Sequence, residues 1–345
     1  MKTKILILLA FITLILVFIT RPYCNFLNKT LHISFLKTLF SHDSLKSYDN
    51  QVNIALLGIA GGQNEGPDLS DSIIVVSYHM KTNQASTIAI PRDIWSSTLK
   101  DRINSAYAYG EATKNGGGLK LAKAELSSIV GIPIHYAAVI NFDEFQRLID
   151  FLGGIQVNIE RSFTDNEYPI AGKENDTCNG DKEYRCRYKT VNFKAGVQQM
   201  DGKTALIFTR SRHGQGVEAG DFARTKRQQK IIEAIKDKLL GNLNLLDMEK
   251  LKNLYLVTDK LILRDLTNQQ AAILVKNIVL KRNFKQNEII LDENFFTVPD
   301  YWLYDGKYVL VPKTGDFDLI HQYINCKIKN SQSCSNLEKK SKENQ

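Results

Sequence analysis

The sequence predicts an α/β protein in which a largely buried sheet is layered with helices. Short β-branched apolar runs alternate with stretches of helical spacing. The composition, 43% hydrophobic and 24% charged, is that of an ordinary folded chain. A length of 345 residues suffices for one large domain or two small ones, and no Pro- or Ser-rich linker divides residues 50–325.

Taken in order, Lys2 and Lys4 precede an apolar run over residues 5–19, followed by Thr20 and Arg21. A membrane span needs about 20 residues, and the run with its flanks just reaches that. No small-residue cleavage pattern follows. Residues 1–24 therefore read as an uncleaved anchor, and the leading lysines place the N-terminus in the cytoplasm and the rest outside. Residues 25–50 read as a polar stalk. Residues 52–58, 72–78 and 85–90 read as strands, the last two joined by a turn at Lys81-Thr-Asn-Gln84 as a hairpin. Leu119, Ala122, Leu126 and Ile129 mark a helix that Gly131 stops. Residues 134–140 read as a strand. Phe142, Phe145, Leu148, Ile149 and Leu152 mark a helix ending at Gly153-Gly154, and 155–159 a further strand. Residues 161–191, rich in charge and poor in aliphatics, read as a long surface excursion. Helices are expected over 201–209, 225–240, 246–258 and 267–280, and late strands over 288–291 and 308–311. The polar tail, 326–345, is expected to lack fixed structure after Cys334.

Net charge is +8, which favours an acidic partner: nucleic acid, anionic lipid or a phosphorylated substrate. No helix-turn-helix or zinc pattern is present, and the anchor would put the basic residues on the far side of the membrane from DNA. No nucleic-acid partner is therefore expected. Cys178 and Cys186, and likewise Cys326 and Cys334, stand eight apart. That spacing suits local disulfides in an oxidising compartment, with a structural zinc and free thiols as the alternatives.

The most informative stretch is residues 210–230. Arg210, Arg212, Arg224, Lys226, Arg227 and Lys230 crowd around Gly214, Gly216 and Gly220, where a loop enters a helix with Asp221 at its expected N-cap. Arg224, Arg227 and Gln228 are three and four apart, close on one helix surface. Backbone N–H groups and guanidinium forks at such a junction suit a phosphate or pyrophosphate. A solvated basic face is the plainer reading of any charge run. Arg92 and Asp93 follow Pro91, where the chain must leave a strand, and strand ends are where α/β proteins place ligands. Asp71 precedes the neighbouring strand, so Asp71 and Asp93 are expected to approach each other and share a hard cation such as Mg²⁺. Arg102 is a further candidate phosphate contact.

The order of these pieces resembles the LytR–CpsA–Psr family. The resemblance rests on Asp71-Ser72 before an apolar strand, Pro91-Arg-Asp93, Arg102-Ile-Asn-Ser-Ala-Tyr-Ala-Tyr-Gly110, Ile132-Pro-Ile134 and Ile140-Asn-Phe-Asp-Glu-Phe145. It continues through Asp150-Phe-Leu-Gly-Gly-Ile-Gln-Val157, Asp201-Gly-Lys-Thr-Ala-Leu206, Arg210-Ser-Arg212 and Gly220-Asp-Phe-Ala-Arg-Thr-Lys-Arg-Gln-Gln229. It is specific over about residues 50–240 and looser to about 325. Leu69 and the Cys-bearing segment at 170–190 depart from the family pattern.

The resemblance implies an anchor over 1–24, a stalk over 25–50 and a catalytic domain over 51–325, with an insertion at 161–191 and the tail after it. The domain would be three-layered, with a central, mostly buried mixed sheet flanked by helices. It implies an extracytoplasmic, membrane-tethered phosphotransferase. Such an enzyme moves a glycopolymer from a polyprenyl-pyrophosphate carrier to a peptidoglycan hydroxyl, forming a phosphodiester. The alternatives are a pyrophosphatase on such carriers or a non-catalytic envelope or regulatory protein. Carried over by motif, Asp71 and Asp93 are the Mg²⁺ carboxylates. Arg92, Asp93, Arg212, Asp221 and Arg224 are the catalytic set, and Arg102, Arg210, Arg227 and Gln228 the substrate-binding set. The aliphatic faces of 119–152 and 228–240 are the candidate lining for the lipid tail, with core packing the plainer role for most of those side chains.

Overall fold

The computed structural model describes residues 45–62, 66–242, 248–280, 285–329 and 334–343, with scattered positions between Phe11 and Thr38. The anchor expected over residues 1–24 lies outside the described residues apart from isolated positions. Among the described residues no helix is long and apolar enough to cross a membrane.

The domain opens with β1 (Gln51–Ile59), β2 (Ser70–His79) and β3 (Gln84–Ala89), an antiparallel meander. The turn at 81–84 sets His79 opposite Gln84. The chain leaves the sheet at Pro91 and forms a small ribbon, β4 (Trp95–Ser96) with β5 (Asp101–Arg102). Helices α1 (Ala106–Thr113) and α2 (Gly117–Val130) follow, and Gly131 ends α2 in the left-handed conformation, φ +70°. Strand β6 (Tyr136–Asn141) returns parallel to β1. A capping box between Asn141 and Glu144 starts α3 (Phe142–Phe151). Strands β7 (Ile155–Ile159), β8 (Phe163–Pro169), β9 (Tyr188–Phe193) and β10 (Gly196–Met200) pair as two ribbons, β7 with β10 and β8 with β9. Asp201 caps α4 (Gly202–Arg210), and after a loop comes the long α5 (Gly220–Asn242). The rest is α6 (Met248–Leu261), β11 (Leu263–Arg264), α7 (Asn268–Leu280), β12 (Lys285–Ile290), β13 (Phe296–Thr297), β14 (Val311–Pro312), α8 (Asp318–Ile328) and α9 (Cys334–Glu343).

The central sheet has six strands in the order β11-β6-β1-β2-β3-β12. It is mixed: β6 runs parallel to β1 and β12 parallel to β3, and the other pairs are antiparallel. Side chains alternate across each strand. Ala55, Leu57, Ile73, Val75, Ala137 and Val139 point to one face, where they pack with Ala106, Leu126, Ile129 and Ile324 of α1, α2 and α8. The opposite face looks toward α3, α4 and α5, which share a second core with β7, β8 and β9 through Ile149, Ile155, Phe163, Phe193, Phe208 and Ile231.

Three regions differ from the sequence reading. Residues 161–191 are not a loose excursion. Phe163, Asp165 and Tyr168 are buried, and β8 and β9 form a hairpin whose loop is closed by a Cys178–Cys186 disulfide. One buried residue every two or three positions suffices for a ribbon packed on one side, a pattern hidden by its exposed charges. The tail is not structureless: a Cys326–Cys334 disulfide ties α8 to α9. The stalk segment touches the domain where it is described, since Ser34 N donates to Gln269 Oε1 at 2.8 Å and Lys276 Nζ to the Thr38 carbonyl at 2.7 Å.

Candidate active site

A cavity of about 970 Å³ separates the sheet from α3, α4 and α5. Its body is apolar: Leu56, Ile74, Ala138 and Ile140 from the sheet face Phe145, Leu148, Leu206, Ile231, Ile232 and Ile235 from the helices. The expected lipid lining is half present. Residues 142–152 and 228–240 supply wall residues, whereas Leu119, Ala122, Leu126 and Ile129 of α2 lie on the opposite face of the sheet, in the packed core. The hairpin read as an excursion completes the wall with Asp165, Glu167, Pro169 and Tyr188.

One end of the cavity is ionic. Asp71 starts β2, Arg92 follows β3, Arg102 ends the small ribbon, Arg210 and Arg212 leave α4, and Arg224 and Gln228 face in from α5. Arg92 pairs through Nη1 with Asp71 Oδ1 and through Nε with Asp93 Oδ2, the latter at 3.4 Å. Arg102 Nη1 reaches Asp93 Oδ1 at 3.2 Å. Asp221 Oδ1 lies 2.8 Å from Arg224 Nη2 and 3.4 Å from Arg212 Nε. Asp221 is therefore not the N-cap expected of it. The helix begins at Gly220, and the carboxylate turns to these two arginines. Arg210 stacks on Phe142, its guanidinium carbon 4.5 Å from the ring centroid.

Three sequence candidates stand back from the cavity wall: Asp221, paired as above, Asp93 and Arg227. Asp93 is buried, with its side chain 4% exposed behind Arg92 and Arg102. Arg227, 2% exposed, points instead into the 211–218 loop. Its Nη2 donates to the Ser211 carbonyl at 2.5 Å, its Nη1 meets Glu218 Oε2 at 3.0 Å, and the guanidinium lies over Phe163 at 4.7 Å. At about 100° per residue, positions three and four along the helix flank Arg224 on opposite sides. Gln228 enters the cavity, and Arg227 braces the loop that carries Arg212.

Asp165 is the residue the sequence hid. It is 1% exposed, and its Oδ2 accepts from Ser211 Oγ at 2.5 Å, Arg212 N at 3.0 Å and His213 N at 3.2 Å. Its Oδ1 accepts from Glu167 N at 2.9 Å. Burial alone would raise its pKa, but the Ser211 hydroxyl and these backbone donors outweigh burial and hold it below the ordinary carboxylate value. This anchored carboxylate fixes the Ser211–His213 backbone. A signal for it would have been a lone Asp at an inward position of the alternating 163–168 run.

The cations at the ionic end are not fully neutralised. Burial opposes the charge of Arg92, yet Asp93, Asp71 and Asp221 overcome it and raise its pKa. Arg212 and Arg224 move the other way. Burial lowers both, assisted by Arg92 at Arg212 and by Arg212 at Arg224, which falls to about 10. Among the described residues, Arg102 Nε and Arg224 Nε are buried without a hydrogen-bond partner. Buried donors and mutually repelling guanidinium groups beside an apolar cavity suit the binding of an anion. The donor set at Asp71 and Asp93 is hard carboxylate oxygen, already spanned by one cation, Arg92. That chemistry fits Mg²⁺. Elsewhere among the described residues, three ligand-type side chains converge at Asp176, Cys178 and Cys186, but the two sulfurs are joined to each other.

The fold and this ionic cavity define a class of protein also met in known chains. The LytR_cpsA_psr family model matches residues 29–318, and the chain belongs to that family. The chain is 30% identical over 193 residues to a polyisoprenyl-teichoic acid–peptidoglycan teichoic acid transferase TagU of Bacillus mycoides (strain KBAB4), covering 55% of this chain and 53% of that protein. It is 29% identical over 198 residues to regulatory protein MsrR of Staphylococcus aureus (strain Mu50 / ATCC 700699), covering 56% and 50%. The chain thus spans about half the length of the curated relatives it matches. Among solved structures, B. subtilis TagV superposes with a TM-score of 0.58 at 20% identity over 82% of this chain and 99% of that one. A structure of TagT bound to LIIa-WTA gives 0.55 at 21% identity, over 84% and 96%. These structural likenesses show the shared fold.

Proposed function

We propose that this protein moves a glycopolymer from a polyprenyl-pyrophosphate carrier to a hydroxyl of peptidoglycan. The observation that carries the proposal is one cavity with two chemistries: a long apolar body between sheet and helices, and a guanidinium cluster at its end. The names of TagU relatives, which describe transfer of polyisoprenyl-linked teichoic acid to peptidoglycan, point the same way. An isoprenoid tail fills the apolar body, and the pyrophosphate lies among Arg92, Arg102, Arg212 and Arg224. Arg210 and Gln228 border the same end.

The acceptor hydroxyl oxygen attacks the sugar-side phosphorus, the bond from that phosphorus to the bridging oxygen breaks, and polyprenyl phosphate leaves. The hydroxyl proton passes to a site carboxylate; of Asp71, Asp93 and Asp221, the three paired with the arginines, Asp71 is the one on the cavity wall. Charge spread over the phosphoryl oxygens in the transition state is what preplaced guanidinium groups stabilise. Arginine suits the task better than lysine, because its planar fork holds two oxygens at once. Asp71 and Asp93 are the residues that would hold Mg²⁺, which when bound supplies further neutralisation of phosphate charge. Asp165 and Arg227 keep the loop bearing Arg212 in place.

The membrane anchor, with the catalytic domain outside the cell, belongs to the same proposal, since such carriers reside in membranes. The disulfides Cys178–Cys186 and Cys326–Cys334 support an oxidising compartment. The test uses the full chain in detergent with an undecaprenyl-pyrophosphate-linked glycan and purified sacculi. The proposal expects polyprenyl phosphate release coupled to covalent attachment of glycan. Release without attachment would make the protein a pyrophosphatase, and binding without release a non-catalytic carrier-binding protein.

A further inference from the structure

The segment after β13 exposes aromatic side chains that the core does not use. Trp302 is 76% exposed, Tyr301 53% and Tyr308 43%. Leaving such side chains in water forgoes the burial that favours folding, and exposed aromatic side chains grouped on one short segment mark a contact surface. The patch is built, not frayed. A helical turn over Tyr301–Tyr304 closes through a Gly306 N–H to the Tyr301 carbonyl at 2.9 Å, with Asp305 and Gly306 both left-handed. Tyr304 packs edge-on against Trp95 at 4.9 Å, and Tyr301 against Tyr308 at 6.4 Å.

The patch is also tied to the ionic end of the cavity. Leu310 N donates to the Asp93 carbonyl at 2.8 Å, and Trp95 N to the Leu310 carbonyl at 2.9 Å. Lys307 Nζ reaches Asp101 Oδ1 at 2.8 Å, next to Arg102. The Tyr308 phenol lies in the field of Asp221 and Asp93, which add to burial in raising its pKa.

We infer that Tyr301, Trp302 and Tyr308 form a sugar-binding platform that seats the acceptor, a β-linked N-acetylhexosamine chain, beside the pyrophosphate site. Hexosamine rings present an apolar C–H face edged by polar groups. Flat aromatic rings beside Asp300, Asp305 and Lys307 match both parts. A membrane surface is a poorer occupant. Asp300 and Asp305 would face anionic headgroups, and the cation of the patch, Lys307, is committed to Asp101. The inference rests on the transferase reading for the identity of the acceptor, while the platform itself stands on the exposed rings.

The test titrates the full chain in detergent with chitotetraose, reading binding of wild type and variants by isothermal titration calorimetry and, for the wild type, by tryptophan emission as well. Only Trp95 and Trp302 contribute to it. The wild type should bind saturably, and Trp302→Ala and Tyr301→Ala should each weaken binding about tenfold, the size of a lost aromatic stacking interaction. Farnesyl pyrophosphate binding should be unchanged in both variants. Loss of farnesyl pyrophosphate binding in the wild type would sink the transferase reading and leave the platform standing. No chitotetraose binding by the wild type, or equal binding by the variants, would overturn the platform. So would quenching of the Trp302-dependent emission by brominated phosphatidylglycerol in reconstituted vesicles without a response to chitotetraose, which would assign the patch to the membrane.

Discussion

On one face of the central sheet Ala55, Ile73, Val75 and Ala137 are sealed beneath α1, α2 and α8, with exposures of 0 to 2%. One step along the same strands, Leu56, Ile74 and Ala138 look across the cavity at Ile231, Ile232 and Ile235. Both faces are apolar and both carry helices. They differ in what meets them. The packed face receives Leu126, Ile129 and Ile324, which close the gap. The open face is held away by α3 and α5, which lean on the β7–β10 ribbons, and its end is crowded with like charge. A second apolar surface can thus be kept available for a ligand when the helices above it have their own core to rest on.

Removing the charge at the open face should have the largest effect. Arg212→Ala is expected to lower transfer by about 10³-fold or more, with the melting temperature nearly unchanged because the guanidinium is a third exposed. Arg224→Met should lose transfer as well while keeping or raising stability, since it removes a buried cation repelled by Arg212 and Arg92. Paired transfer assays and thermal melts check both. Activity that survives either change would mean that the ionic end is not where the phosphates react.

Arg227 separates bracing from binding. Arg227→Ala empties a buried site, leaving the half-buried Glu218 without its partner and the Ser211 carbonyl without its donor, a loss of about 1–3 kcal/mol. The melting temperature should fall together with transfer. This departs from the expectation carried over by motif, in which Arg227 is a substrate contact. A variant with normal melting and no transfer would restore that role.

The difference between the faces also explains what the sequence discloses. Periodicity located β1, β2, β3, β6 and β7, the helices seen over 117–130, 142–151 and (read as 225–240) 220–242, and the hairpin at 79–84, because burial on any apolar face leaves the same period; it missed β8, β9 and β10. It could not tell core from cavity: Leu126 and Ile232 are both helical aliphatics, and only the neighbours across the gap distinguish them. The charged end was legible because burying several arginines is costly without a reason. Asp165 was not, because three of its four partners are backbone N–H groups, which every residue carries, and the fourth is a single serine hydroxyl. Substitution sharpens the contrast. Leu126→Ala should cost about 2–5 kcal/mol in a urea melt, as a cavity opened in a closed core. Ile232→Ala borders space already open, so it should cost far less and should instead weaken binding of long prenyl pyrophosphates relative to farnesyl pyrophosphate. Equal losses of stability would mean that the second face is packed as tightly as the first.

The smallest expected effect is also the most specific in pH. Asp165 has a depressed folded pKa, so just below its ordinary value near 3.8 the unfolded chain binds the proton and the folded chain does not. Its contribution to stability is therefore complete above that ordinary value and is lost as pH falls through the folded pKa. Asp165→Asn puts an amide donor among the Ser211, Arg212 and His213 donors, which should cost about 1–3 kcal/mol at neutral pH. The gap between wild type and variant should stay constant from pH 7 to about pH 5 and then narrow toward acid. Because the same carboxylate holds the backbone that presents Arg212, the variant should also raise KM for the lipid-linked donor more than it lowers kcat. A stability gap that persists unchanged at the most acid pH would show that the carboxylate charge is not what fixes this loop.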